Sequence, residues 1–358
     1  MKTLVFDLLL PLLNESDQVS TRVLDLLFTR VIEPAKSNNK ETYNLAVNLL
    51  QKGNQHFEYL VQNHLHNVLL TSRSNMSHNL TLSSTAKNIN MTPASHSRNN
   101  SSDDSSILNS SLDNILGQSN EAAAAAGVHG SSNQFISDKL CLIIYELNVI
   151  RPALLELVMP QLEYKLKSSD LKERREYTRL LSKMFSEKDS KLAQQLPALW
   201  EAYLERFADM NEDIRKICIQ HICDFLIQQS NSIRSITALS SSSLTNQTEK
   251  SNQIIEQIIE QIKNRSLDPE EFLRYEVIQE IIKAIKSDSN LITIELLNIL
   301  KERTLDIKIR VRKQALQGLA NLYKKIHSKS NSRKTVQLLN WIPTKIMRIY
   351  FQDSIEDK

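Results

Sequence analysis

The chain has 358 residues, 44 basic and 41 acidic side chains for a formal charge of +3, and only 5 glycines. Average usage would supply about 25 glycines, so folds built on tight turns and phosphate-cradling glycine loops are excluded. Hydrophobic content of 41% with 24% charged residues describes a chain able to form a core. The near-neutral total implies no global pull on polyanions.

Taken from the N-terminus, the opening run Met1 to Pro11 looks like a secretory leader. Asp7 interrupts its apolar stretch and no small-x-small cleavage site follows, so none is expected. No apolar run approaches the roughly 20 residues needed to span a bilayer. Residues 1–70 are expected to form N-terminal HEAT-like helices, one of them closed by Gly53 as a C-cap. His56, His64 and His66 lie close together, but nothing nearby completes a metal set, so solvated or packing roles are expected. In residues 71–137, 31 of 67 positions are Ser, Thr or Asn. So polar a segment is expected to be a disordered insertion, with a phosphorylation tract as the sharper alternative. A second polar stretch, 229–252, is expected to be a loop expansion within the folded array 138–358.

That array is helical by period: Val277, Ile281 and Ile285 recur every four residues, as do Val311, Ala315 and Leu319. Asp268-Pro269-Glu270-Glu271 is expected to start a helix, with Asp268 capping and Pro269 at the first helical position. The organising feature is a repeat. Arg206-x-x-Asp209-x5-Arg215, Arg265-x-x-Asp268-x5-Arg274 and Arg303-x-x-Asp306-x5-Arg312 share one spacing. Apolar residues accompany each copy: Leu199, Ile258 and Leu296 before it, then Cys218, Val277 and Ala315, then Ile219, Ile278 and Leu316. Asp170 starts a looser copy in which Arg174 and Arg175 are out of register. A period near 40 with two helices per unit is the mark of HEAT-type repeats, so an all-α HEAT-repeat solenoid is expected. The Asp falls in the turn within each repeat, where it can cap the second helix. The Arg six residues on can reach the Asp of a neighbouring repeat, giving a ladder that fixes stacking.

Motifs for chemistry are scarce, and no enzyme or cofactor is expected. Cys218-x-x-His221-x-Cys223 suggests zinc, but Cys218 occupies the repeat's apolar position and a fourth ligand is missing. The three cysteines, with Cys141, are also too few for a disulfide framework. One charge cluster stands apart: residues 301–348 hold thirteen basic side chains against Glu302 and Asp306. Lys308, Arg310, Lys313, Lys324, Lys325, Arg333 and Lys334 are the candidate contacts there for a polyanion or an acidic partner. An inositol polyphosphate is one ligand that such a patch could take. Arg310, Lys313, Gln317, Asn321 and Lys324 are expected on one helix face, opposite Val311, Ala315 and Leu319.

The sequence also resembles a known family. Pro160-Gln161-Leu162-Glu163-Tyr164-Lys165-Leu166-Lys167-Ser168, Leu180-Leu181-Ser182-Lys183-Met184-Phe185 and Arg265-Ser266-Leu267-Asp268-Pro269-Glu270-Glu271 are similar to the Pds-five family (precocious dissociation of sisters). So are Lys301-Glu302-Arg303-Thr304-Leu305-Asp306, Arg310-Val311-Arg312-Lys313-Gln314-Ala315 and Ile349-Tyr350-Phe351-Gln352-Asp353-Ser354. The resemblance implies part of the N-terminal region of a non-catalytic, nuclear, chromatin-associated scaffold that regulates sister chromatid cohesion. Its implied partners are the kleisin subunit of cohesin, the wings-apart-like release factor and cohesion-establishment factors. A direct DNA-binding or polyanion-binding repeat protein, acting through 301–348, is the alternative.

Overall fold

The computed structural model describes residues 2–15, 21–32, 40–83, 131–188, 190–238, 245–329 and 333–350. Among them there is no strand. The chain divides into two units, Met1–Leu154 and Leu155–Lys358.

The first unit holds α1 (Lys2–Glu15), α2 (Thr21–Ile32), α3 (Lys40–Lys52), α4 (Gln55–Ser83), α5 (Ser131–Asp138) and α6 (Leu140–Ile150). Its centre is α2, where Leu24, Phe28 and Val31 recur at helical spacing and are buried against α3, α5 and α6. The leader-like opening is a helix that packs on α3 and α4. No described helix is long and apolar enough to cross a membrane. Gly53 follows α3, but its φ lies outside the left-handed region expected of a glycine C-cap. Glycine fits instead because a Cβ there would overlap the Phe57 ring.

Two sequence boundaries move. The polar segment expected over 71–137 contains the end of α4 and all of α5 but its last residue. Ile136 in α5 is buried, which gives that helix the apolar anchor its Ser-rich start lacks. Residues 84–130 of the expected insertion lie outside the described residues. The array expected from 138 begins later, because α6 packs on α2 and α3 in the first unit.

The second unit is a stack of helix pairs. The first helices are α7 (Met159–Leu166), α10 (Pro197–Leu204), α13 (Thr245–Arg265) and α15 (Ile294–Arg303), with the short α9 (Leu192–Gln195) before α10. The second helices are α8 (Leu171–Ser186), α11 (Glu212–Gln220) with its continuation α12 (Ile222–Ala238), α14 (Glu271–Ser287) and α16 (Ile309–Lys329). Two further helices, α17 (Arg333–Leu339) and α18 (Trp341–Tyr350), pack on α16. The second helices pack in order, α8 on α11, α11 on α14, α14 on α16. A helix held on both sides must be apolar on both, and α14 buries Leu273, Val277, Ile278, Ile281, Ile282, Ala284 and Ile285. The stretch 229–252, expected as a loop expansion, is mostly helix: its residues lengthen α12 and α13. Ser232 and Ser235 turn their hydroxyls onto the carbonyls of Gln228 and Asn231, which lets serine sit inside a helix.

Most repeat positions singled out as apolar are core. Leu199, Ile258, Leu296, Cys218, Val277, Ala315, Ile219 and Ile278 are all buried, while Leu316 in the fourth pair is only half-buried. Gly318 lies in α16 against α14, where a Cβ would overlap the Cδ1 and Cγ1 atoms of the buried Ile282. Gly318→Val is therefore expected to lower unfolding stability by about 1–3 kcal/mol, the usual cost of overpacking. Urea denaturation of the variant against the parent chain measures it, and an unchanged midpoint would show that Ile282 swings clear.

Candidate partner-binding site

The site is framed by the turns within the repeats. Asp209 accepts from the Nε of Arg174 at 2.8 Å, from Arg206 at 2.8 Å and from the backbone N–H of Asn211 at 2.9 Å. Asp268 accepts from the Nε and Nη2 of Arg215 at 2.9 and 3.0 Å, from Arg265, and from the N–H of Glu270. Asp306 accepts from the Nε and Nη2 of Arg274, both at 2.9 Å, from Arg303 at 3.1 Å, and from the N–H of Lys308. Each second-helix arginine also ties down its own turn. The Nη1 of Arg215, Arg274 and Arg312 donates to the carbonyls six and five residues back.

Two details differ from the sequence reading. Each aspartate closes the turn two residues ahead of it and does not cap the helix proper. In the second repeat the cap is Asn211, which accepts from Ile214; Pro269 likewise sits in the turn, because α14 begins at Glu271. In the first pair the aspartate's place belongs to Ser168, not Asp170. Ser168 Oγ accepts from the N–H of Asp170, and Arg174 Nη1 donates to the Ser168 carbonyl at 2.7 Å. Arg174 is thus in register, six residues after Ser168, while Asp170 caps α8 through the N–H of Lys172. Burial pushes the Asp209 and Asp306 carboxyls up. Hydrogen bonds from Arg174 and Arg274, backbone N–H groups and the arginine charges outweigh it, so both lie below the ordinary carboxylate value.

Beside the ladder runs a second set of contacts that sequence reading missed. The residue after each ladder arginine meets the residue two before the next one: Arg175 with Asp213 at 3.4 Å, Lys216 over the Phe272 ring, Arg310 over the Tyr275 ring at 4.4 Å. Comparing these two positions across repeats would have exposed the pairing, because each pair contains a cation.

The last of these contacts opens a shallow groove of about 480 Å³ lined by Tyr275, Ile309, Arg310, Lys313, Gln314 and Gln317. The Arg310 guanidinium lies over the Tyr275 ring, whose own hydroxyl accepts from Gln279 at 3.0 Å. Arg310, Lys313 and Lys324 are exposed on the face opposite the buried Val311, Ala315 and Leu319, and Lys308 is exposed in the turn just before the helix. Lys308, Arg310 and Lys313 gather at the start of α16, and Lys324 stands about three turns further along. Lys325 turns elsewhere, onto the carbonyl of Lys286 at the end of α14. The backbones of Arg333 and Lys334 belong to α17, and their side chains lie outside the described residues. The groove offers cationic donors, two amides and one aromatic wall, a set suited to a carboxylate or phosphate carried on an apolar neighbour.

The metal-like motifs resolve into packing. Burial pushes the Cys223 thiol up to about 12, raises that of Cys218, and pulls His221 down to about 4. His64 bonds Asp25 at 2.8 Å and stacks on Phe28. Among the described residues no group of three or more ligating side chains could hold a metal ion.

A stack of helix pairs joined by repeated turn contacts defines a HEAT-type helical-repeat protein. The family model for the sister chromatid cohesion protein PDS5 matches residues 1–358, and the chain belongs to that family. It is 31% identical over 353 residues to "Sister chromatid cohesion protein PDS5 homolog B" of Gallus gallus, covering 98% of this chain and 19% of the relative. It is also 31% identical over 356 residues to "Sister chromatid cohesion protein PDS5 homolog A" of Danio rerio, covering 99% and 21%. The chain thus spans about a fifth of the length of these curated relatives. A solved Pds5–Scc1 complex shares the fold, with a TM-score of 0.63 and 13% identity over 98% of this chain and 44% of that one.

Proposed function

We infer that this chain is a non-catalytic, nuclear and chromatin-associated scaffold that holds the kleisin subunit of cohesin. The wings-apart-like release factor and cohesion-establishment factors are its further partners, and its role is control of sister chromatid cohesion. The observation that supports this reading most is the family match along all 358 residues. Immobilised chain is expected to retain cohesin and kleisin peptides from nuclear extract; failure to retain either would overturn the reading.

The groove beside Arg310 favours a second reading, direct contact with a polyanion, with Lys308, Arg310, Lys313 and Lys324 as its residues. Replacing all four by Glu is expected to weaken binding of duplex DNA or an inositol polyphosphate at least about tenfold. The dependence of log affinity on log salt should also flatten, by about 0.9 for each duplex phosphate no longer neutralised. Equal affinity and slope for the parent and variant chains would remove this reading and leave the scaffold reading untouched.

A further inference from the structure

The residues flanking each turn aspartate are apolar and lie in solvent. Met210 is 98% exposed, Leu267 60%, Leu305 58% and Ile307 86%. Ala208 and Pro269 complete the pairs on either side of Asp209 and Asp268, and both are exposed. Scattered surface apolar residues are ordinary. These are not scattered, since they recur immediately before and after the aspartate in three consecutive repeats.

The turn itself does not require them. Around Ser168 the same two positions hold Lys167 and Ser169, and that turn makes the same contacts: an N–H onto the side chain and an arginine onto the carbonyls. The fold is therefore indifferent to polarity at these positions, yet three repeats carry apolar side chains there. Exposed apolar side chains repeated at every turn of the ladder mark an interaction surface.

We propose that this edge is a docking ridge for an extended segment of a partner polypeptide, apolar along its length and acidic at the end that lies over α16. Charge sets that polarity. In sequence, exposed Glu205, Glu212 and Asp213 flank Met210, whereas exposed Lys301, Lys308, Arg310 and Lys313, against the single exposed acid Glu302, flank Ile307. Ile309, two residues after Ile307, lines the cationic groove. Spacing sets the form. Helices packed side by side lie about 8–10 Å apart, so the three turns mark out a track of about 20 Å. A polyproline-II segment returns a side chain to one face about every 9 Å, which places every third residue on a successive turn.

The probe is a short synthetic peptide, labelled with fluorescein, with leucine at every third position and glutamates at one end. A second version has its glutamates at the other end, and a third has lysines in their place. Fluorescence anisotropy against the whole chain should show saturable binding of at least one acidic peptide and weaker binding of the lysine version. The triple variant Met210→Ser, Leu267→Ser, Ile307→Ser is expected to lose about tenfold in affinity, as truncated interface anchors do. Its thermal midpoint should hold, because all three side chains lie in solvent. No binding of either acidic peptide, or equal binding by the variant, would overturn the proposal. So would equal binding of the lysine version, or sedimentation showing that the ridge joins two copies of this chain.

Discussion

Asp268→Ala is expected to lower the unfolding free energy by about 3–5 kcal/mol, the cost of leaving a buried ionic partner uncompensated. Asp268 is fully buried and receives Arg215, Arg265 and the N–H of Glu270, so its loss strands two guanidinium groups and one backbone donor. Because stability in a repeat stack is a sum of units and interfaces, the damage should fall on the interface between α11 and α14. Hydrogen exchange is expected to speed up in the turn at 265–271 and in α11, while α2 and α3 keep their protection. Substituting Arg215 and Asp268 together by apolar residues of similar size should recover much of the loss. Denaturant unfolding of the single and double variants decides it, and a single variant within about 0.5 kcal/mol of the parent would mean that the ladder is decorative. The ladder also has a pH signature. The folded-state values of Asp209 and Asp306 lie below the ordinary 3.8, so their contribution is fully present above that value. It is lost as pH falls through the depressed folded values, and stability should drop in that acid window and hold above it.

Phe185→Ala is expected to cost a similar amount, about 3–5 kcal/mol. Aromatics are only 6% of the chain, yet the Phe185 ring lies 5.0 Å from Trp200 and 5.1 Å from Tyr203. Trp200 stacks on Phe225 at 5.0 Å, and Tyr203 meets Phe207 edge-on at 5.9 Å. The cluster joins α8, α10 and α12, so one truncation opens a cavity where two repeats meet. The polar ends are satisfied: Trp200 donates to Gln257 at 2.8 Å, and the Tyr203 hydroxyl bonds Ser182 at 2.9 Å. Phe185→Leu should cost clearly less than Phe185→Ala, since it fills most of the space. Equal losses for the two would point to a backbone rearrangement.

What was legible beforehand and what was not follows from which residues a turn constrains. Arg206, Asp209 and Arg215 form one unit because a buried carboxylate must be paired, and that demand fixes residue type and spacing together. Ser168 escaped because a hydroxyl accepts the same backbone N–H without being acidic, so a search for carboxylates stops at Asp170, two residues late. The stretch 229–252 reads as loop for a related reason. Serine and asparagine signal loops by composition, but Ser232 and Ser235 satisfy their hydroxyls on helix carbonyls and the helix continues. Phe185, Trp200, Tyr203, Phe207 and Phe225 are spread over forty residues and meet only through packing between repeats. At the groove, Lys308, Arg310 and Lys313 were visible as charge, whereas Tyr275 lies in the preceding repeat and shows its role only when α14 and α16 are side by side.

Among the described residues, the buried Arg–Asp ladder runs along one edge of the second unit. On the opposite edge the cross-repeat pair Arg234–Asp288 has a half-exposed arginine, and Lys325 reaches only a terminal carbonyl. In mechanical terms the stack is a beam with a tension member on a single side. Flexing that parts the turns must break buried charge pairs, whereas flexing that parts the opposite edge breaks polar contacts whose cations are more exposed. Its stiffness therefore depends on the sense of bending, and a segment lying along the turns is carried on the side that stretches least.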